Sequence, residues 1–179
     1  MKKILPISII LAIIFAIVKL RRRASILLGK ISNKPPKVEL KYSKKLKPEE
    51  RPILKGSDDA AFVSRQIWSD QIEIREEFVI LLLDNGNKVL GYHLLSRGGL
   101  TETIVDLKLL FSLVLQSLAT SIILVHNHPS GNLKPSESDK KMTRKINMGA
   151  KRFDLKVLDH IILTKESYFS FADNGILQD

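Results

Sequence analysis

The chain has 179 residues, 44% apolar and 27% charged, which is ordinary globular usage and excludes a disordered, collagen-like or mucin-like polymer. It has no cysteine, so disulfide scaffolds, thiolate zinc sites, iron–sulfur clusters and thiol nucleophiles are out, and any transition metal must be held by nitrogen and oxygen. The net charge of +10 is uneven: residues 1–55 carry 15 Lys and Arg against 3 acids, and residues 56–179 carry 14 against 16.

The stretch Ile4–Leu20 reads ILPISIILAIIFAIVKL and runs straight into Arg21, Arg22 and Arg23. As a helix it would reach about 25 Å, close to a ~30 Å hydrocarbon core, with flanking lysines and arginines snorkelling to the headgroups. Residues 1–23 are therefore expected to form a hydrophobic helix acting as a transmembrane anchor. No small-x-small site follows it, which argues against a cleaved signal peptide. The basic cluster behind it places the globular part in the cytoplasm, held at the inner membrane. Residues 24–55 mix Lys, Pro and polar residues and read as a basic linker, with one short extended piece at Val38–Tyr42. Its charge suits anionic lipid headgroups or nucleic acid.

Ser57, followed by Asp58 and Asp59, reads as the cap of a helix running to about Asp70, with Ala60, Val63 and Ile67 on its buried stripe. A β-type run at Glu77–Leu83 meets the turn Asp84-Asn85-Gly86-Asn87 and returns through Lys88–Ser96. Arg97-Gly98-Gly99 breaks the chain. Asp106 caps a second helix, Leu107–Leu118, with apolar residues at helical spacing. Ser121–Val125 reads as a strand buried on both faces. A third helix covers about Glu137–Met148 and stops at Gly149. Strands at Lys156–Leu163 and Tyr168–Ala172 close the chain. The order α, β, β, α, β, α, β, β predicts an α/β fold over residues 56–179, a mixed β-sheet sandwiched by helices.

The chemistry concentrates in VHNHPSGNLKPSESDKK, Val125–Lys141. His126 and His128 stand two apart at a strand end, where the period of 2 aims both rings to one side and allows both to bind one ion. Two neutral imidazoles need an anionic companion for a divalent metal, and Asp139 is the nearest candidate once the Pro129–Pro135 loop folds back. Such a set leaves a fourth tetrahedral position for water, as in a catalytic zinc site. Glu76 and Glu77, leading into the first strand, are both candidates for the base that the water needs. Ser136-x-x-Asp139 also has the form of a capping box, which is compatible with a metal role for Asp139. His160 is expected to be a buried, hydrogen-bonded histidine rather than a fourth ligand, and His93 a structural strand residue. Asn127 and Ser130 are expected to shape the loop.

The spacing His126-x-His128, seven residues, Ser136, two residues, Asp139 matches the JAMM (MPN+) metalloprotease signature. With LDHIIL and YFSFAD downstream, the chain over residues 40–179 resembles the RadC-like JAB-domain branch, especially the short RadC-like proteins of Bacteroidetes. That resemblance implies a JAB/MPN fold with the layering of cytidine deaminases, and zinc held by His126, His128 and Asp139. It implies Glu76 as the general base, with Glu77 as the alternative, and Ser136 as an oxyanion stabiliser. The implied activity is hydrolysis of an amide or isopeptide bond in a peptide or protein substrate. One departure stands at Leu107, where the family usually has proline.

Two other readings compete. The family's DNA-repair label suggests a protein acting on or with nucleic acid, through the basic linker or the cations Lys140 to Arg152, although the acidic balance of residues 56–179 speaks against binding by that part. A zinc domain without turnover is the other. The tripeptide His126-Asn127-His128 is not an HNH nuclease, whose residues are spread over a ββα unit.

Overall fold

The structure, a computed structural model, describes residues 7–28, 46–98 and 105–177. The chain divides into two compact units, Met1–Glu39 and Leu40–Asp179. The first contains helix α1, Ile7–Leu28. Among the described residues no helix is long and apolar enough to cross a membrane, so the expected transmembrane anchor is not supported. The reason lies in the helix bounds. Any 18-residue stretch of Ile7–Leu28 includes Lys19, Arg21, Arg22 and Arg23, while the uncharged part, Ile7–Val18, would reach only about 18 Å. The extended piece expected at Val38–Tyr42 lies outside the described residues.

Residues ahead of 56 already belong to the second unit. Ile53 bridges to Lys88, Leu54 N donates to Asn87 O, and Val89 N donates to Pro52 O. The end of the expected linker is thus fastened to the first hairpin, with Leu54 buried.

Helix α2 covers Ser57–Ile67, strand β1 Glu77–Leu83 and strand β2 Val89–Arg97. Helix α3 is Leu107–Ser117, β3 Ser121–Asn127, α4 Glu137–Ala150, β4 Lys156–Leu163 and β5 Tyr168–Ser170. The sheet order is β2-β1-β3-β4-β5, with β3 and β4 parallel and every other neighbouring pair antiparallel. The expected mixed sheet with helices on both sides is what forms.

Strand alternation sorts the core. Phe78, Ile80, Leu82, Ile122 and Leu124 face one side with Leu110 and Val114 of α3 and Ile146 of α4. Val79, Leu81, Leu83, Ile123 and Val125 face the other side with Ala60 and Ala61 of α2. Strands β1 and β3 are buried along their whole length, as a central position between helical layers requires.

Several boundaries differ from expectation for local reasons. The cap of α2 is Gly56 rather than Ser57. The Ser57 hydroxyl instead donates to Asp173 and lies 3.2 Å from the Tyr168 hydroxyl. Asp106 does cap α3, accepting from Lys108 N and Leu109 N. Leu107 is then the first helical residue, a position that suits proline, so the departure there leaves the helix start intact. Gly149 lies inside α4, not beyond its end.

Candidate metal centre

His126 is the penultimate residue of β3, and His128 follows the strand, its backbone N donating to Leu163 O. Period-2 alternation sends both rings the same way, and their Nε2 atoms lie 3.0 Å apart. The chain then turns at Gly131, whose φ of +75° is a conformation that glycine adopts without steric cost. That turn lets the Asn132 carbonyl accept from His128 Nδ1 at 2.5 Å.

Ser136 caps α4, its hydroxyl accepting from Asp139 N at 3.1 Å while its own N donates to Asp139 Oδ2 at 2.7 Å. This is a capping box with Asp in the third position. It fixes the carboxylate with Oδ1 3.3 Å from His126 Nε2 and Oδ2 3.6 Å from His128 Nε2. His126, His128 and Asp139 form a group whose ligand atoms all lie within 4.8 Å of one another.

The hydrogen bonds decide what this group can hold. A carbonyl cannot donate, so the proton of His128 sits on Nδ1 toward Asn132 O, and a neutral ring presents a lone pair at Nε2. His126 meets His160 through its Nδ1 and presents its own Nε2 to the same point. Two lone pairs and a carboxylate converge with no proton donor between them. That donor set fits a divalent cation held by nitrogen and oxygen.

The charges respond accordingly. Burial opposes ionisation of Asp139, but the adjacent His126 and His128 imidazoles and the hydrogen bond from Ser136 outweigh it and hold its carboxyl far below the usual range. Burial likewise works against a charged His128, yet the hydrogen bonds that the charged ring makes to Asp139 and Asn132, with the charges of Asp139 and Glu76, raise its pKa. Burial pushes His160 well below its ordinary value, so it stays neutral.

The group sits in a cleft of about 440 Å³ that Glu76, Phe78 and Lys134 also line. Glu76 immediately precedes β1 on the side of Phe78, whose ring stacks on His126 with centroids 6.0 Å apart. Glu77 points away. It is 2% exposed, accepting from Arg97 Nε at 2.6 Å and from Ser69 Oγ at 2.8 Å. Ser136, expected as an oxyanion donor, directs its hydroxyl proton to Asp139 Oδ2 at 2.7 Å. His93 lies on β2, outside the cleft.

Two contributors were not assigned their parts by sequence reasoning. Asn127 is fully buried, accepting from Glu77 N and donating to Ile72 O and Arg75 O. It clamps the backbone on both sides of Glu76 to the end of β3. Its place between two histidines on the opposite strand face was the available signal. Thr143, one helical turn after Asp139, bonds His160 Nδ1 at 2.6 Å and was not singled out.

A mixed sheet between helices, with two strand-end histidines and a first-turn aspartate at one end, defines a JAB/MPN-type α/β domain. A sequence model of the RadC-like JAB domain matches residues 54–176, and the chain belongs to that family. Among its relatives, a UPF0758 protein of Flavobacterium johnsoniae is 52% identical over 101 residues, which is 56% of this chain and 44% of the relative. A UPF0758 protein of Porphyromonas gingivalis is 35% identical over 140 residues, 77% of this chain and 62% of the relative. One from Fusobacterium nucleatum is 35% identical over 151 residues, 84% and 64%. The chain thus spans about half to two thirds of the length of these curated relatives.

Proposed function

We propose that the domain is a zinc-dependent hydrolase of the JAMM type that cleaves an amide or isopeptide bond. The observation that carries this reading is the convergence of His126 Nε2, His128 Nε2 and the Asp139 carboxylate on one point, beside a cleft that Glu76 lines. Zinc, when bound, supplies Lewis acidity, lowering the pKa of water from 15.7 towards ~7 and polarising a carbonyl. His126, His128 and Asp139 would hold it.

The chain's own residues supply the rest. Glu76 takes the proton of the attacking water and returns it to the departing nitrogen as the C–N bond breaks. Asn127 keeps Glu76 at the mouth of the cleft by fixing the backbone around it. Ser136 holds the Asp139 carboxylate in place. It can serve a developing oxyanion only by turning its proton away from Asp139 Oδ2.

The test is metal analysis and peptide-library hydrolysis on the full chain, wild type against His128→Ala and Glu76→Gln. Stoichiometric zinc lost only in His128→Ala, with hydrolysis lost in both variants, is the expected result. A wild-type chain that takes up no zinc refutes the proposal, and zinc uptake with unimpaired hydrolysis in Glu76→Gln removes Glu76 as the base.

A further inference from the structure

We infer that Thr143 and His160 form a one-way hydrogen-bond relay that fixes His126 in the tautomer able to bind metal, making them positioning residues of the centre. The inference rests on the metal-site reading above and adds to it the residues that prepare the ligand.

The direction of the relay follows from its first bond. Thr143 Oγ1 lies 2.7 Å from the main-chain carbonyl of Asp139, and a carbonyl only accepts, so the hydroxyl proton is spent there. At 2.6 Å from His160 Nδ1, the same oxygen can only accept, which puts the His160 proton on Nδ1. His160 Nε2 is then a lone pair. It accepts from His126 Nδ1 at 2.8 Å, and the remaining lone pair of His126 is on Nε2, facing His128 and Asp139.

The surroundings favour this arrangement. Thr143 is 3% exposed, His160 0% and His126 1%. The His160 ring packs on Phe171 with centroids 4.6 Å apart and on Phe78 at 5.6 Å, and both of its nitrogens are committed. Between Thr143 and His126 a reversed ring would set two N–H groups, or two lone pairs, against each other in a dry site, a costly mismatch. Lone pairs face each other only at His126 Nε2 and His128 Nε2, 3.0 Å apart, where a cation would be held.

The fold makes a specific provision for this contact. Opposite β3, the register shifts so that Ile122 pairs with Val157 but Ile123 with Asp159, leaving Leu158 as an extra residue. This bulge reverses the alternation of β4, so that His160 shares the α3–α4 face with His126 while Asp159 turns to the other. Bulges beside sites commonly re-aim a side chain in this way. Asp139 closes the circuit, because its side chain faces the metal point while its carbonyl anchors the relay to α4.

The test uses the full chain with Thr143→Val, which keeps the shape and removes the acceptor, and Thr143→Ser, which restores it. His160→Gln serves as the harsher variant. Zinc affinity by chelator competition is expected to fall about 10- to 100-fold in Thr143→Val and to return close to wild type in Thr143→Ser. In the metal-free chain at alkaline pH, imidazole nitrogen-15 shifts should show His126 protonated at Nδ1 in wild type and Thr143→Ser, and shifted toward Nε2–H in Thr143→Val. The spectroscopic arm decides the relay even if the wild type takes up no zinc, a result that would sink only the hydrolase reading. A wild-type His126 protonated at Nε2, or a Thr143→Val chain with unchanged His126 tautomer, overturns the inference.

Discussion

Glu76 and Glu77, adjacent in sequence, serve opposite faces of β1: Glu76 lines the cleft beside the histidines, whereas Glu77 is buried against Arg97 and Ser69. Their substitutions should therefore separate. Glu77→Ala removes two hydrogen bonds from a buried carboxylate, but Arg97 is half exposed and can turn to water. The expected cost is about 1–3 kcal/mol of stability, measured by urea denaturation, with zinc content retained. Glu76→Gln should leave the unfolding midpoint near wild type. Equal destabilisation by both would contradict the opposed placement.

Ser136 has a structural duty that precedes any part in chemistry. Its hydroxyl caps α4 and donates to the carboxylate of Asp139. Ser136→Ala should cost about 0.5–2 kcal/mol through the lost cap and should also weaken zinc binding, because Asp139 Oδ2 loses a partner. Ser136→Thr, which keeps both bonds, should restore much of each. A variant that loses hydrolysis with stability and zinc affinity untouched would instead assign Ser136 to the oxyanion alone.

The sequence exposed those features that depend on short-range periodicity. The family resemblance favoured Glu76 over Glu77, and the spacing from His126 to Asp139 placed three candidate ligands within one loop and one helical turn. Asp106 as a cap and the Asp84–Asn87 turn were readable because each solves a local backbone problem. Features that depend on a neighbouring element were not readable. The bulge at Leu158 exists only in the pairing of β4 with β3, so strict alternation gives the wrong face for His160. Asn127 acts on a segment 50 residues away, and nothing near it in the chain reports that. The membrane reading is not supported because the described helix continues past the apolar run to Leu28, which brings the arginines inside it.

Asp159 offers a pH test. Burial raises its pKa above the ordinary 3.8, against the lowering effect of hydrogen bonds from Ser170, Ala172 N and His160 N. A carboxyl with a raised folded pKa binds more protons folded than unfolded. Its contribution to stability is thus present below 3.8 and lost as pH rises through the folded value. Asparagine does not titrate. The stability of Asp159→Asn relative to wild type should therefore climb with pH above 3.8 and level off once the folded Asp159 is ionised. Urea midpoints taken across that range check the slope, which any constant cost of the altered Ser170 bond leaves unchanged. A falling difference would mean that Asp159 is held below its ordinary pKa.

Gly149 in α4 is explained by its neighbour on α3. A Cβ there would lie 2.5 Å from Phe111 Cζ and 2.7 Å from Cε2, closer than carbon atoms approach. Glycine costs a helix interior about 1 kcal/mol relative to alanine, so on propensity alone Gly149→Ala should stabilise. Overpacking typically costs about 1–3 kcal/mol, and the Phe111 ring has limited room to retreat because it also packs on Phe153 at 5.6 Å. The expected result is net destabilisation on thermal or urea unfolding. In a Phe111→Leu background the obstruction is gone, and the same alanine should be neutral or stabilising. The double-mutant cycle should show a coupling of about 0.5–3 kcal/mol, and a cycle that closes to zero would mean that the glycine is not there for the ring.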